Sequence, residues 1–368
     1  MSATSIKKEL LHCSLNYIVT RGLILAIGFL CWSVFPERGE FEHINRRNEN
    51  ADFKMIWNRF DSDWYVKLAS EGYPQKAFTD IAEETWGFMP LYAMLMHLVS
   101  ALSNMELFYA GVFVSNVCTI FGLFLIYKLA REQFNTGADT LNLVLISCGS
   151  FYLNVVYAEG LFFLLSVAVF SLSNKKKYVL AFICAGLASV TRIQGCLLFV
   201  IPAIEILTRD FRASYKYIPG AMLGLLPMAA LMWYLNATCG EPLAFIKIQK
   251  AWGSTETYPL QGFVNLFTTI GRRSSFMNAG LWLLILGAVF SQYRRLPLSY
   301  LIFTLLYFLL STSNEIVYGT TRYMLGVIPL FLAVSISNLY VRQFFVVVNL
   351  LFLALNIATF VTNTLTFL

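Results

Sequence analysis

Charge is what this sequence has least of. Asp, Glu, Lys and Arg make up 13% of its 368 residues, about half the share in an average soluble domain, and that scarcity excludes an ordinary water-soluble fold. Paired cysteines are missing too. The seven cysteines (13, 31, 118, 148, 184, 196 and 239) contain no CxxC, and all but Cys239 lie in apolar stretches, so neither a disulfide framework nor a thiolate metal site is implied. His12, His43 and His97 are scattered and make no ligand cluster. No internal repeat is visible, and no small-residue cleavage site follows the first apolar run.

What is present is apolar: 58% of residues, with a mean hydropathy of +0.64. That describes an all-α integral membrane protein, and 368 residues hold roughly ten spans of about 20 residues each plus one or two loops. One membrane-embedded domain, 1–368, is the simplest division. The net charge of +6 does not read as nucleic-acid binding, because Lys and Arg fall in short clusters between apolar runs, where topology explains them. Lys7 and Lys8 precede an apolar run from Leu15 to Phe35, which reads as an uncleaved signal anchor with a cytoplasmic N-terminus. Further runs lie near 107–129, 139–158, 160–173, 178–192, 194–208, 216–236, 276–291, 297–312, 323–340 and 343–362.

The segment 88–103 is apolar but carries His97 and begins near Pro90. If it crossed the membrane, Lys175–Lys177 and Arg209, Arg212 and Lys216 would fall outside. If it lies along or dips into the outer surface, those residues, Lys128/Arg131, Arg294/Arg295 and Arg342 all become cytoplasmic, as the positive-inside rule requires. The second arrangement gives about eleven crossings, with tilted or broken helices expected in 160–208, where the runs are short.

This topology puts every motif-like polar stretch on one side: the loop 36–86, the tip Tyr157-Ala-Glu159-Gly160, the turn 191–195, the loop 237–275 and the turn 313–322. Charges at such depth are costly unless paired or facing water, so Glu159, Arg192 and Arg322 are expected to line one cavity. In the first loop, Asp61 opens a short helical pattern that places Asp61, Trp64, Tyr65 and Leu68 on one face, and Gly72 and Pro74 end it. Asp61 reads as a helix N-cap, as a base beside stacking aromatics, or as both. Asp63 reads as a first-turn carboxylate complementing the helix dipole, although an Asp-x-Asp spacing also suits a divalent metal. Arg192 and Arg322 are placed either to hold phosphate oxygens or to snorkel at a membrane boundary. Arg272 and Arg273 read as a solvated pair or a headgroup contact.

These residues carry a family resemblance. Arg59-Phe-Asp-Ser-Asp-Trp-Tyr65 with Gly72-Tyr73, followed by Gly87-Phe-Met-Pro-Leu-Tyr92, resembles the loop motifs of the PIG-V-like mannosyltransferases. In the same order along the chain, Tyr157-Ala-Glu-Gly-Leu-Phe162, Leu187-Ala-Ser-Val-Thr-Arg-Ile-Gln-Gly195, Gly240-Glu-Pro-Leu-Ala-Phe through Trp252-Gly253, and Arg322-Tyr-Met-Leu325 with Pro329 resemble four more. Phe60, Gly160 and Met89 depart from the family, which usually has Trp, Ser and Phe there, but the charged positions are kept.

The resemblance implies a GT-C-type bundle of about eleven transmembrane helices with a short helical first extracytoplasmic loop, 36–86, as the catalytic loop and 237–275 as a second. It implies an inverting glycosyltransferase that moves a hexose, mannose foremost, from a polyprenyl-phosphate donor to a lipid-linked or surface glycan acceptor. Asp61 matches the family's loop aspartate, the candidate base. Asp63, Trp64, Tyr65, Glu159, Arg192, Gln194, Lys247, Gln249, Trp252, Arg322 and Tyr323 are the expected donor-phosphate and substrate contacts. No cofactor is implied; a divalent metal is compatible but not required, because guanidinium groups can stabilise the leaving phosphate. The chain's compactness resembles the bacterial branch, hence an inner-membrane location, with the endoplasmic reticulum as the eukaryotic alternative. A flippase or transporter of a lipid-linked sugar is the alternative function, although its charges would sit nearer the bilayer midplane.

Overall fold

The structure is a computed structural model that describes residues 3–35, 53–253, 258, 260–268, 273–314, 317 and 319–362. Most of the first loop before Phe53, with His43, lies outside the described residues, as do Arg272 and the side chain of Arg273. Among the described residues all extended regular structure is helical and no strand occurs. The chain opens with α1 (Ala3–Val34), then a short α2 (Phe53–Trp57) and α3 (Asp61–Glu71), which carries the acidic motif. Helices α4 (Pro90–Ser103) and α5 (Leu107–Phe134) form a hairpin. Pro90 starts α4, where its fixed φ is already helical, and Asn104 ends it in the left-handed conformation at φ 55°. The middle of the chain is α6 (Gly137–Leu145), α7 (Glu159–Asn174), α8 (Tyr178–Ser189), α9 (Val200–Arg209) and α10 (Ile218–Cys239). After the short α11 (Ala244–Lys247) and α12 (Gln261–Thr268) come α13 (Arg273–Ser291), α14 (Leu298–Ser311), α15 (Thr320–Gly326), α16 (Ile328–Ser335) and α17 (Leu339–Val361).

Among the described residues, four helical stretches are long and apolar enough to cross a membrane: Leu11–Val34, Leu107–Phe134, Ser214–Cys239 and Leu339–Val361. Their outward faces carry bare apolar side chains such as Phe29, Phe121, Leu226, Trp233 and Val347. The other apolar helices have 10–17 residues, so the expected count of about eleven crossings is met by continuous long helices in only these four places. The expected shortness of 160–208 is observed: α7 and α8 are brief, and a 3₁₀ helix, Ile193–Phe199, runs into α9. Two of the expected runs are broken. The run 323–340 splits at Val327, just ahead of Pro329, into α15 and α16. The run 139–158 unwinds after α6, passes through a 3₁₀ turn at Ser150–Leu153, and becomes helical again only at Glu159.

Unwound backbone deep in an apolar bundle must find its hydrogen bonds within the protein. Here the neighbouring helices supply them through polar side chains. Asn349 on α17 accepts from the Cys148 amide at 2.9 Å, and Asn356 donates to the Cys148 carbonyl at 3.1 Å. From α1, Arg21 donates to the carbonyls of Ser150 (2.8 Å) and Leu145 (3.0 Å). From α5, Ser115, Asn116 and Thr119 donate to the carbonyls of Tyr157, Asn154 and Leu153.

Helix α7 is buried along most of its length and forms the centre of the core, against α5 and α8. Small residues permit these close crossings. A Cβ at Gly186 on α8 would stand 1.9 Å from the Gly224 carbonyl of α10. A Cβ at Gly160 would stand 2.7 Å from the Ser115 carbonyl, which gives a steric reason for glycine at this position.

The loops collect at two ends. At one, Phe78 donates to the Cys239 carbonyl, Leu91 to Val190 and Gly262 to Thr312, which ties the first loop, the 190s turn, the second loop and the 312–322 turn together. At the other, Lys175 pairs with Glu132, Lys176 with Asp210 and Arg342 with Asp139. The basic clusters that guided the topology therefore stand at the end opposite the motif residues.

Candidate active site

Phe60 precedes Asp61 in a left-handed backbone conformation, φ 51° and ψ −118°, which is strained for a residue with a side chain. Its ring is held against Phe360 at 5.6 Å. This bend makes Asp61 the first helical residue. Phe60 occupies the N-cap position, and no side chain caps the helix. The N-cap reading of Asp61 is thus corrected, and its carboxylate is directed elsewhere. It is bound by Nη1 of Arg322 on α15. Two residues on, the Asp63 carboxylate faces a different partner, accepting from Nδ2 of Asn58 at 2.5 Å. Residues at i and i+2 do not share a helix face, so the two carboxylates point apart.

Arg322 also approaches Glu159, its Nε lying 3.9 Å from Oε1. The same Glu159 oxygen is bound by Nη1 of Arg192. Asp61, Arg322, Glu159 and Arg192 are therefore one continuous ion-pair chain drawn from four separate stretches of sequence. Each basic head lies near aromatic rings. Arg322 lies 5.6 Å from the Tyr157 centroid and 5.7 Å from that of Tyr152, and Arg192 lies 5.7 Å from that of Tyr323. Glu159 is the first residue of α7, where the helix dipole favours an anion. Arg192 sits in extended backbone between α8 and the following 3₁₀ helix. Arg322 is seated by two glycines. Gly319, at φ 70°, starts α15, and Gly149 lets the Thr321 carbonyl approach to 2.1 Å from where a Cβ would be. Tyr65 completes the group. Its hydroxyl pKa is pushed up, first by burial and then by the Glu159 charge, so it stays protonated.

Beside the charges stands an aromatic platform. Trp64 is stacked on Phe88 (5.9 Å, 14° between planes), and Trp252 meets both rings edge-on at 5.6 and 5.9 Å. Gln249 donates to the Gly87 carbonyl at 3.3 Å, and the bare Gly87 makes room for the Trp252 ring. The second loop thus closes over the first.

Of the expected site residues, the fold brings together Asp61, Tyr65, Glu159, Arg192, Arg322 and Tyr323 in the charged group, and Trp64, Gln249 and Trp252 in the platform. It sets three apart. Lys247 is more than half exposed and pairs with Glu241 at 2.5 Å, which lowers that carboxylate's pKa. Gln194 is buried but makes no hydrogen bond to the four charges. Asp63 is held beside Asn58 as described. Among the described residues, no group of three or more His, Cys, Asp or Glu is arranged to hold a metal ion. Sequence reasoning missed Tyr152, whose ring Arg322 faces, and Arg21, which anchors the unwound segment leading to Glu159. The signal for Arg21 was available as a charge inside the first apolar run.

No family model matches the chain, and no curated protein matches it. The crystal structure of ArnT from Cupriavidus metallidurans bound to undecaprenyl phosphate is similar, with a TM-score of 0.51 at 15% identity over 85% of this chain and 59% of ArnT. The Archaeoglobus fulgidus oligosaccharyltransferase in complex with zinc and sulfate aligns at a TM-score of 0.47 and 14% identity, over 95% of this chain and 53% of that one. The likeness to ArnT shows the fold alone: an all-helical bundle of the ArnT kind, with helices long and apolar enough to cross a membrane. The chain spans about three-fifths of ArnT's length.

Proposed function

We propose that the chain is an inverting glycosyltransferase of the extracytoplasmic face that moves a hexose, mannose foremost, from a polyprenyl-phosphate donor to a lipid-linked or surface glycan. One observation carries this reading: a loop carboxylate, Asp61, shares an ion-pair chain with two guanidinium groups beside an aromatic platform. A sugar hydroxyl is a poor nucleophile at neutral pH, and Asp61 would take its proton as the new C–O bond forms. The leaving group departs as a phosphate and needs charge stabilisation, which the fork of a guanidinium supplies to two oxygens at once. Trp64, Phe88 and Trp252 offer the flat apolar faces on which sugar rings stack. The six ordered PIG-V-like motifs and the undecaprenyl phosphate in the ArnT complex both favour this donor class.

The test is transfer by the purified chain in lipid from mannosyl-phosphoryl-polyprenol to a panel of glycolipid acceptors. Labelled product of inverted anomeric configuration is expected. A chain that instead equilibrates labelled lipid-linked sugar across vesicles and makes no product is a flippase, a reading favoured by the broken helices around 146–158 and Val327.

A further inference from the structure

The two arginines of the site are held differently. Arg192 is bound to Glu159, whose side chain is 2% exposed and whose second oxygen is buried with no hydrogen-bond partner. That carboxylate cannot be exchanged for water, so Arg192 is fixed. Arg322 is bound to Asp61, whose side chain is 31% exposed, and its contact with Glu159 is the looser 3.9 Å one. A partner that accessible can be displaced. Resting on the donor-phosphate reading above, we propose that Asp61 and the donor phosphate compete for Arg322. In this arrangement the arriving phosphate takes the guanidinium and so releases the base, and donor binding must precede activation of the acceptor.

The chemistry requires such a release. A carboxylate oxygen occupied by a guanidinium N–H is not free to take the acceptor's proton. Once Arg322 turns to the phosphate, the Asp61 oxygens open toward the acceptor. The acceptor O–H bond then breaks, and its proton goes to Asp61. The acceptor oxygen forms a bond to the anomeric carbon. The bond from that carbon to the phosphate oxygen breaks, and its electron pair leaves with polyprenyl phosphate as a second negative charge beside Arg322. The cycle closes when Asp61 gives its proton to water and recovers Arg322, expelling the phosphate. Arg192, held by Glu159, contributes a constant positive field and does not move.

The test is equilibrium binding of undecaprenyl phosphate to the full chain in nanodiscs, with each variant first matched to wild type in thermal stability. Competition predicts that Asp61→Asn, which removes the proton acceptor, binds this lipid roughly two- to five-fold more tightly, the scale of one partly exposed ion pair lost from the free state. Arg322→Gln should bind more weakly, with Arg322→Lys between it and wild type. The double variant Asp61→Asn/Arg322→Gln should bind no more tightly than Arg322→Gln alone. Unchanged or weaker binding by Asp61→Asn overturns the competition and leaves the donor-phosphate reading standing. Tightening that persists in the double variant also overturns it, because the effect is then a general gain of positive field. Wild-type binding by Arg322→Gln sinks both ideas.

Discussion

Asp61 and Arg322 stand 261 positions apart in the chain, and the guanidinium of one binds the carboxylate of the other. The pair closes the site across the whole molecule, because Asp61 comes from the loop after the first helix and Arg322 from the broken helix before the last. Glu159 and Arg192 continue the same ion-pair chain from the core helix α7 and the turn after α8. Chemistry at this site therefore depends on packing that no single segment can supply.

Asp61→Asn should abolish sugar transfer, lowering kcat by on the order of 10²-fold or more, since an amide of the same shape cannot accept the hydroxyl proton. Asp63→Asn should do much less, because that carboxylate is engaged by Asn58 on the other face of α3. Turnover by both variants under saturating donor is the measurement. An Asp61→Asn enzyme retaining more than about a tenth of wild-type kcat would leave the general-base role untenable.

The charged positions were legible in the sequence for a physical reason. An acid or a guanidinium at membrane depth is expensive, so Glu159, Arg192 and Arg322 had to meet, and they do. The break at 146–158 was not legible. The run 139–158 is mostly apolar, and the hydrogen bonds that its backbone makes in place of a helix's are supplied from elsewhere, by Asn349, Asn356, Arg21 and Asn116. Hydropathy counts apolar residues and cannot see donors on distant helices. Phe60 was hidden likewise. Its left-handed backbone moves Asp61 from N-cap to first helical residue, and nothing local in the residue type announces that conformation.

Gly186→Ala should destabilise the bundle by about 1–3 kcal/mol, because its methyl group would overlap the Gly224 backbone, which has no flexible end to yield. Gly280→Ala is the control. Nothing lies within 4 Å of its would-be Cβ in the helix α13, so alanine there should be neutral or stabilise by about 0.5–1 kcal/mol. Thermal unfolding in detergent compares the two, and equal melting temperatures would show that the α8–α10 crossing does not need its glycines.

For topology, cysteines placed at 176 and 294 in a cysteine-free background should resist an impermeant thiol reagent in sealed cells, whereas one at the exposed Ile81 should be labelled. Labelling at 176 from outside would reverse the assigned sides and carry the α4 segment across the membrane.

Arg21 offers the most demanding test of how the site is held. Its guanidinium is committed to the unwound segment, donating to the carbonyls of Leu145 and Ser150 and to the Asn154 side chain. Leu145 ends α6, so the cation also meets the negative end of that helix's dipole. Among the described residues no carboxylate pairs with it, and carbonyl oxygens do that work. Arg21→Met would keep the apolar bulk but leave these buried acceptors without donors, at about 1–3 kcal/mol for each one not rescued by water. The loss should appear as a lower melting temperature and as faster amide exchange concentrated in 146–158. Activity should fall with it, because this segment carries Tyr152 and Tyr157 against Arg322 and leads into Glu159. Arg21→Lys should be intermediate, since an ammonium keeps the charge but lacks the planar fork that reaches three acceptors. Wild-type stability and exchange in Arg21→Met would show that the side chains of α5 and α17 hold the segment without it.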